Sequence, residues 1–185
     1  MDRTYLVAIR LVSSEAARAH QKQVRKDGVT PYIVHPARVA SLVAHFGGSH
    51  IAILSAWLHD VFEDCDAEAC SRARNTIGTL PLPADDIRKI HAIVSALTKD
   101  PALPKDERME NSLNRILQSH PEAVLVKICD RIDNLVDNPH PGRQPANPKI
   151  HESMMIVEKL GNAAQVHGYT EALDTLVACI HERGT

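Results

Sequence analysis

Apolar residues recur every three or four positions along most of the chain, which is the spacing of a helix with one buried face. The clearest example is the run of Ile51, Leu54, Leu58 and Val61. No stretch alternates strictly between apolar and polar residues, as a half-buried strand would. The pattern therefore predicts an all-α fold, and we expect residues 1–185 to form a single helical bundle domain.

Turn-forming and capping residues set the boundaries of the predicted helices. Gly28 and Pro31 disfavour continuation of the first helix, whereas Ser49 is a good N-cap for the third. The other predicted helices cover residues 4–25, 36–45, 84–98, 106–119, 121–137, 149–166 and 170–182. The stretch NPHPGRQPANP, residues 138–148, holds four prolines and one glycine and is predicted to be a loop.

The amino-acid composition argues against several classes of function. Aromatic residues make up only 3% of the chain, so the core must consist mainly of Leu, Ile, Val and Ala, and a stacking platform for single-stranded nucleic acid is disfavoured. The formal net charge is −2 and no long basic run stands out, so we expect no nucleic-acid or membrane partner. The oligomeric state is left open.

The cysteines and the first residues bear on the cellular compartment. None of Cys65, Cys70, Cys129 and Cys179 forms a C-x-x-C pair, which favours free thiols in a reducing compartment. The opening MDRTYLVAIR lacks the apolar core of a signal peptide, and no later segment is long and apolar enough to span a membrane. We therefore expect a cytoplasmic protein.

Four ionisable residues interrupt an apolar background in WLHDVFEDCD, residues 57–66: His59, Asp60, Glu63 and Asp64. Imidazole combined with carboxylates suits a divalent transition metal better than Ca²⁺, which prefers oxygen ligands alone. His59 and Asp60 are too few to hold an ion, so further ligands are needed. His35, just before a predicted helix, and Asp130, in an apolar segment, are the candidates.

Taken one at a time, these residues have simpler interpretations. His35 can be a capping or surface residue, and Asp130 can be a buried carboxylate paired with Lys127 or Arg131. Glu63 and Asp64 can be polar residues that merely end a helix. A metal site is favoured because the simpler interpretations would require several coincidences of order and spacing.

The set of His35, the adjacent His59 and Asp60, and Asp130 resembles the metal-ligand pattern of the HD superfamily of phosphohydrolases. A closer similarity is to the hydrolase domain of the RelA/SpoT family, of the stand-alone small alarmone hydrolase type. The segments that carry it, in order, are HQKQVRKDGVTPYIVHPARVA, AWLHDVFEDCD, LTKDPALPKDER and VKICDRIDNLVD. The resemblance implies an HD-type helical domain that removes the 3′-pyrophosphate of guanosine tetra- or pentaphosphate, (p)ppGpp, using Mn²⁺ or another divalent transition metal.

The same resemblance implies a role for each matching residue. The metal ligands would be His35, His59, Asp60 and Asp130. The residues that handle the attacking water would be Glu63 and Asp64. The residues that contact the nucleotide would be Arg25, Lys26 and Asn134.

The sequence also departs from the family pattern. Lys22 replaces a usual glycine, Cys65 a usual threonine and Pro101 a usual lysine, for which Lys99 or Lys105 can compensate. The segment KIHESMMIVEKLG lacks the arginine and tyrosine that stand-alone relatives direct at the nucleotide. Two alternatives therefore stay open: hydrolysis of another nucleotide such as (p)ppApp, and a non-catalytic nucleotide-binding protein.

Overall fold

Helices form the architecture of this protein, whose computed structural model describes residues 3–137 and 148–184. In chain order they are α1 (Arg3–Ala19), α2 (Val34–His45), α3 (His50–Leu58), α4 (Val61–Asp64), α5 (Ala67–Gly78), α6 (Ala84–Leu97), α7 (Arg108–Gln118), α8 (Glu122–Val136), α9 (Pro148–Val166) and α10 (Thr170–Gly184). Within these ranges no strand is present, and the only extended pairing is an isolated bridge between Val24 and Pro31. The predicted all-α fold is confirmed.

Two apolar clusters hold the helices together. The larger one joins α2, α3 and α6 to α8, α9 and α10, and the smaller one joins α1 and α5 to α3 and α6. Leu, Ile, Val and Ala make up most of both, as the low aromatic content predicts. The four cysteines are free thiols, also as predicted.

Helix α8 lies at the centre of the larger cluster and positions the functional site. It is buried on nearly every face, as expected of a helix that others surround. Among its buried residues are Lys127, Asp130, Arg131 and Asp133. Charged groups at such positions need partners, because an unpaired buried charge is very costly. Lys127 pairs with Asp130, Asp133 with His35, and Arg131 with Glu152 of α9.

The first helix is shorter than predicted, since α1 ends at Ala19 rather than at residue 25. Residues 20–33 instead form a turn in which the Arg25 amide donates to the Thr30 carbonyl at 2.7 Å and the Tyr32 amide to the Gln23 carbonyl at 3.0 Å. Gly28 occupies the left-handed region at the tip of this turn, with φ of 74°. Hydrogen bonds across the turn satisfy the backbone groups that a longer helix would have paired.

Two other elements differ from the prediction. The third helix is capped by Ser49, as predicted, but it ends at Leu58, and His59 and Asp60 form a turn before the short α4. The hydrophobic pattern did not predict α5 at all. That helix buries only Ala69, Ala73 and Ile77, so its apolar face is too small to give a clear signal.

The predicted loop 138–148 lies outside the described residues, apart from Pro148, where α9 begins. The remaining predicted helices agree with the structure to within about two residues at each end, the usual scatter of helix boundaries. None of the described helices combines the length and the apolar character that a membrane span requires.

Candidate active site

Two imidazoles and two carboxylates meet where the start of α2 and the turn after α3 face α8. The Nε2 atom of His35 lies 3.3 Å from Asp60 Oδ2 and 3.3 Å from Asp130 Oδ1. The Nε2 atom of His59 lies 3.1 Å and 3.7 Å from the same two oxygens. All four predicted metal-binding residues are thus brought together from three separate parts of the chain.

His59 is held with one ring nitrogen aimed into this cluster. Its Nδ1 atom donates to the Ala56 carbonyl at 2.7 Å, which leaves the lone pair of Nε2 facing inward. That Nε2 atom is buried and, although Asp60 Oδ2 lies 3.1 Å away, it makes no hydrogen bond within the described residues. A buried nitrogen without a partner is costly unless a ligand satisfies it, and a metal ion would do so.

His35 is oriented by Asp133, which sequence reasoning did not single out. The Nδ1 atom of His35 lies 2.6 Å from Asp133 Oδ2, with both side chains buried. Burial alone would lower the pKa of His35, but hydrogen bonds with Asp130, Asp133 and Asp60 raise that pKa to about 11. A carboxylate behind a histidine is a common arrangement at metal sites, where it fixes the ring and increases its basicity.

Asp130 has partners for both carboxylate oxygens. Lys127 Nζ lies 2.9 Å from Oδ2, and the Asn134 amide donates to Oδ1 at 2.6 Å. Burial would raise the pKa of Asp130, but Lys127, His35 and His59 hold it well below its usual value. Asp130 therefore pairs with Lys127 and contacts both histidines at the same time. The ion pair does not exclude Asp130 as a metal ligand.

The geometry and the chemistry of this group fit a metal ion. Ligand atoms of His35, His59 and Asp130 all lie within 4.8 Å of one another, and Asp60 Oδ2 contacts both imidazoles. Two neutral imidazole nitrogens with two carboxylate oxygens suit a divalent transition metal. We call His35, His59, Asp60 and Asp130 the metal cluster.

Glu63 and Asp64 lie beside the metal cluster on α4, at its solvent side. Glu63 accepts two hydrogen bonds from Lys99, one from the ammonium group at 2.7 Å and one from the backbone amide at 3.2 Å. Lys99 lies two residues beyond the end of α6 and is one of the two lysines expected to compensate for Pro101. The structure gives it a definite partner, the side chain of Glu63.

Asp64 is tied to the metal cluster through Tyr32, a second residue that sequence reasoning missed. The Tyr32 hydroxyl oxygen lies 2.8 Å from Asp60 Oδ2 and 2.8 Å from Asp64 Oδ2. Burial, followed by the neighbouring charge of Asp60, raises the pKa of Asp64. Gln23 also donates to the Asp64 carbonyl at 2.7 Å, which fixes the end of α4 against the turn.

The predicted nucleotide-binding residues lie on the open side of the metal cluster. Arg25 donates to Asp137 at 2.8 Å and to the Asn134 side-chain oxygen at 3.2 Å. Asn134 therefore bridges Arg25 and Asp130. Lys26, the next residue in the turn, is exposed.

Lys149 adds a cation that the sequence pattern did not reveal. It lies in the first turn of α9, the helix that lacks the expected arginine and tyrosine, and donates to the Asn134 carbonyl at 3.1 Å. Burial, and then the charges of Lys26, Arg131 and Arg25, lower its pKa to about 8. Mutual repulsion of this kind shows that several cations converge here. We call Arg25, Lys26 and Lys149 the cation group.

The HD domain family matches residues 13–166. The chain belongs to this family. The HD domain covers most of the chain, and the metal cluster described above lies within the matched residues. The resemblance to the HD superfamily is confirmed.

Two curated relatives match about two thirds of this chain. The human guanosine-3′,5′-bis(diphosphate) 3′-pyrophosphohydrolase MESH1 is 38% identical over 125 residues, which are 66% of this chain and 64% of the human protein. The guanosine-3′,5′-bis(diphosphate) 3′-pyrophosphohydrolase of Aquifex aeolicus is 33% identical over 123 residues, 65% of this chain but only 16% of that protein. The chain thus spans under two thirds of the length of these relatives.

A solved structure supports the fold independently. A metazoan ortholog of SpoT, described as hydrolysing ppGpp, superposes with a TM-score of 0.70 at 24% sequence identity. The match covers 96% of both chains. The two proteins therefore share their helical fold over nearly the whole length of both chains.

Proposed function

We propose that this protein is a metal-dependent hydrolase that removes the 3′-pyrophosphate of (p)ppGpp, giving GDP or GTP and pyrophosphate. The observation that carries the proposal is the adjacency of three groups: the metal cluster, the carboxylates of Glu63 and Asp64, and the cation group. The activity named for the human and Aquifex aeolicus relatives supports the same substrate. We further propose a cytoplasmic location and a small-molecule nucleotide as the partner.

The metal cluster is proposed to hold Mn²⁺, through His35, His59, Asp60 and Asp130. A bound divalent ion would lower the pKa of a coordinated water and polarise a phosphoryl oxygen. Asp133 and Asn134 would keep His35 and Asp130 in their binding orientations. The buried position of the cluster would keep competing water away from the ligand atoms.

Glu63 and Asp64 are proposed to act on the attacking water. Hydrolysis adds water across the bond between the 3′-oxygen and the pyrophosphate, so one proton must leave the water and one must reach the 3′-oxygen. Glu63 is proposed as the proton acceptor, and two hydrogen bonds from Lys99 hold its carboxylate in place. Asp64, whose pKa is raised, is suited to hold or return a proton nearby.

The cation group is proposed to bind the anionic nucleotide. The substrate carries two pyrophosphate groups, so several positive charges are needed close to the reacting centre. Arg25 offers a planar guanidinium that can also stack on the guanine base. Lys149 is proposed to supply the positive charge of the arginine that this chain lacks in α9.

A second candidate is the same reaction on another nucleotide such as (p)ppApp. The observation that favours it is the sequence of α9, which contains neither arginine nor tyrosine. Without these side chains, fewer planar or bidentate groups would be available to distinguish guanine from adenine. The metal cluster and the two carboxylates would keep their roles.

A nucleotide panel tests both candidates. Purified protein with added Mn²⁺ is incubated with ppGpp, ppApp and GTP, and nucleotide and phosphate products are separated by chromatography. The proposal predicts that ppGpp gives equimolar GDP and pyrophosphate, with no reaction after chelation. Turnover of ppApp alone would favour the second candidate. Absence of any turnover, despite bound metal, would support a non-catalytic binding protein and overturn the proposal.

A further inference from the structure

A cavity of about 450 Å³ lies beside the candidate active site, between α4, α5, α6 and α7. That volume is within the range of sites for small ligands. Its wall includes Phe62, which lies on α4, and Lys99, which pairs with Glu63. Lys99 therefore contacts both the cavity and the carboxylate of Glu63.

Positive charge dominates the walls of this cavity. Arg74, Lys99 and Arg115 line it, together with His91. Asp100 is the one carboxylate among the lining residues. Within the described part of the chain, neither Arg74 nor Arg115 forms an ion pair with a carboxylate, so their charges are not neutralised locally.

The cavity also presents more hydrogen-bond donors than acceptors. Arg115 donates to the carbonyls of Ser95 and Thr98 and to the Asn111 side-chain oxygen, which uses three of its five N–H groups. The Asn111 oxygen is therefore occupied, while its amide nitrogen has no acceptor in the described ranges. Such a surface suits an anion with several acceptor oxygens.

Arg74 is held in place without losing its donors. Its guanidinium lies 5.2 Å from the centre of the Phe62 ring, and it makes no hydrogen bond in the described residues. Stacking on Phe62 limits the conformations of the Arg74 side chain and leaves the N–H groups of its guanidinium available for an oxygen-rich ligand. The apolar wall formed by Phe62, Val94 and Pro101 offers contact area for the rest of a ligand.

We propose that this cavity is a second anion site, which binds the phosphate of a small phosphorylated molecule separately from the metal cluster. Arg74 and Asn111 contact the phosphate oxygens, and Arg115 supplies fixed positive charge. Because Lys99 lies in the wall and also donates to Glu63, occupancy of the cavity competes for Lys99; an effect on turnover rests on the role proposed above for Glu63.

Nuclear magnetic resonance of the backbone amides tests the proposal directly. The chelator-treated ¹⁵N-labelled protein is titrated with inorganic pyrophosphate, and amide shifts are mapped onto the chain. The proposal predicts saturable shifts at Ser95 and Thr98, in addition to any at the cation group. Shifts confined to the surroundings of Arg25, Lys26 and Lys149 would overturn it, whichever nucleotide the protein hydrolyses.

A matched pair of variants sharpens the same experiment. Arg74→Gln should weaken the binding detected at Ser95 and Thr98 by about tenfold, the loss expected when one charge-assisted hydrogen bond is removed. Arg88→Gln, on the exposed face of α6 and outside the cavity, removes the same charge and should leave that binding unchanged. Equal behaviour of the two variants would also overturn the proposal.

Discussion

The metal cluster and the cation group lie next to each other, yet they are built in different ways. His35, His59 and Asp130 are almost fully buried, and each has a partner that fixes its orientation. In the cation group, Arg25 is largely buried and held by Asp137, but Lys26 is exposed in its turn and Lys149 is half-buried at the start of α9. Rigid, buried positioning suits chemistry that needs fixed ligand geometry, whereas an open group of cations suits capture and release of an anion.

This contrast predicts two classes of variant. Changes in the metal cluster or behind it should reduce metal binding, and turnover should fall as a consequence. Changes in the cation group should raise KM and leave metal binding intact.

Asp130→Asn should have the largest effect. It removes a ligand charge and leaves Lys127 buried without its carboxylate, so metal binding and turnover should both be lost. Loss of one partner of a buried ion pair should also destabilise the chelator-treated protein by about 3–5 kcal/mol. Metal content by mass spectrometry and chemical denaturation measure the two effects.

The matched control for Asp130 is Asp174→Asn, at an exposed position on α10. It should change neither metal content nor stability. If Asp130→Asn retained full metal occupancy, Asp130 would not be a ligand.

Asp133→Asn should have a smaller effect on the same cluster. The asparagine oxygen can still accept from His35 Nδ1, but the negative charge behind the ring is lost. Metal affinity should fall by about 10–100-fold, as is typical for groups that orient a ligand, and turnover should return at saturating metal. A titration with metal, monitored by enzyme activity, measures this affinity. An unchanged metal affinity would show that Asp133 contributes to packing but does not orient His35.

Lys149→Gln should affect substrate binding and not metal. Because the pKa of Lys149 is about 8, its charge is present below that pH and is lost above it. In the wild type, kcat/KM for ppGpp should therefore fall as pH rises through about 8. The variant should show an approximately tenfold lower kcat/KM at pH 7 and a weaker pH dependence, since one phosphate contact is missing.

Two further variants complete the Lys149 experiment. Lys149→Arg should keep its charge and shift the fall in kcat/KM to higher pH. Lys159→Gln, on the same helix but paired with Glu110 at 2.7 Å, should behave as wild type. A pH profile that is identical in wild type, Lys149→Gln and Lys149→Arg would assign the titration to another group.

The sequence singled out the four residues of the metal cluster but not the residues that contact them, for a physical reason. Ligand residue types are few, and His59 and Asp60 stand out against an apolar background. Asp133 and Tyr32 are ordinary residues whose roles depend on partners far along the chain, such as the 98 positions between His35 and Asp133. Only the approach of α2 to α8 brings such pairs together.

The fold shows the same limit. The helices could be predicted from the spacing of apolar residues, because most of them bury a broad apolar face. The early end of α1 depends on hydrogen bonds across the 20–33 turn, and α5 has a face too small to recognise. Lys149 was not predicted because a lysine at a helix start has no distinctive pattern until Lys26 is placed beside it.

The most direct test of the division between metal binding and catalysis is a joint measurement of metal content and turnover in Glu63→Gln. This substitution keeps the shape of the side chain and removes the carboxylate that would accept the proton. We predict metal content equal to that of the wild type, with kcat lowered by about 10²–10⁴, the contribution of a general base. Loss of metal in proportion to the loss of turnover would make Glu63 a ligand and contradict the account.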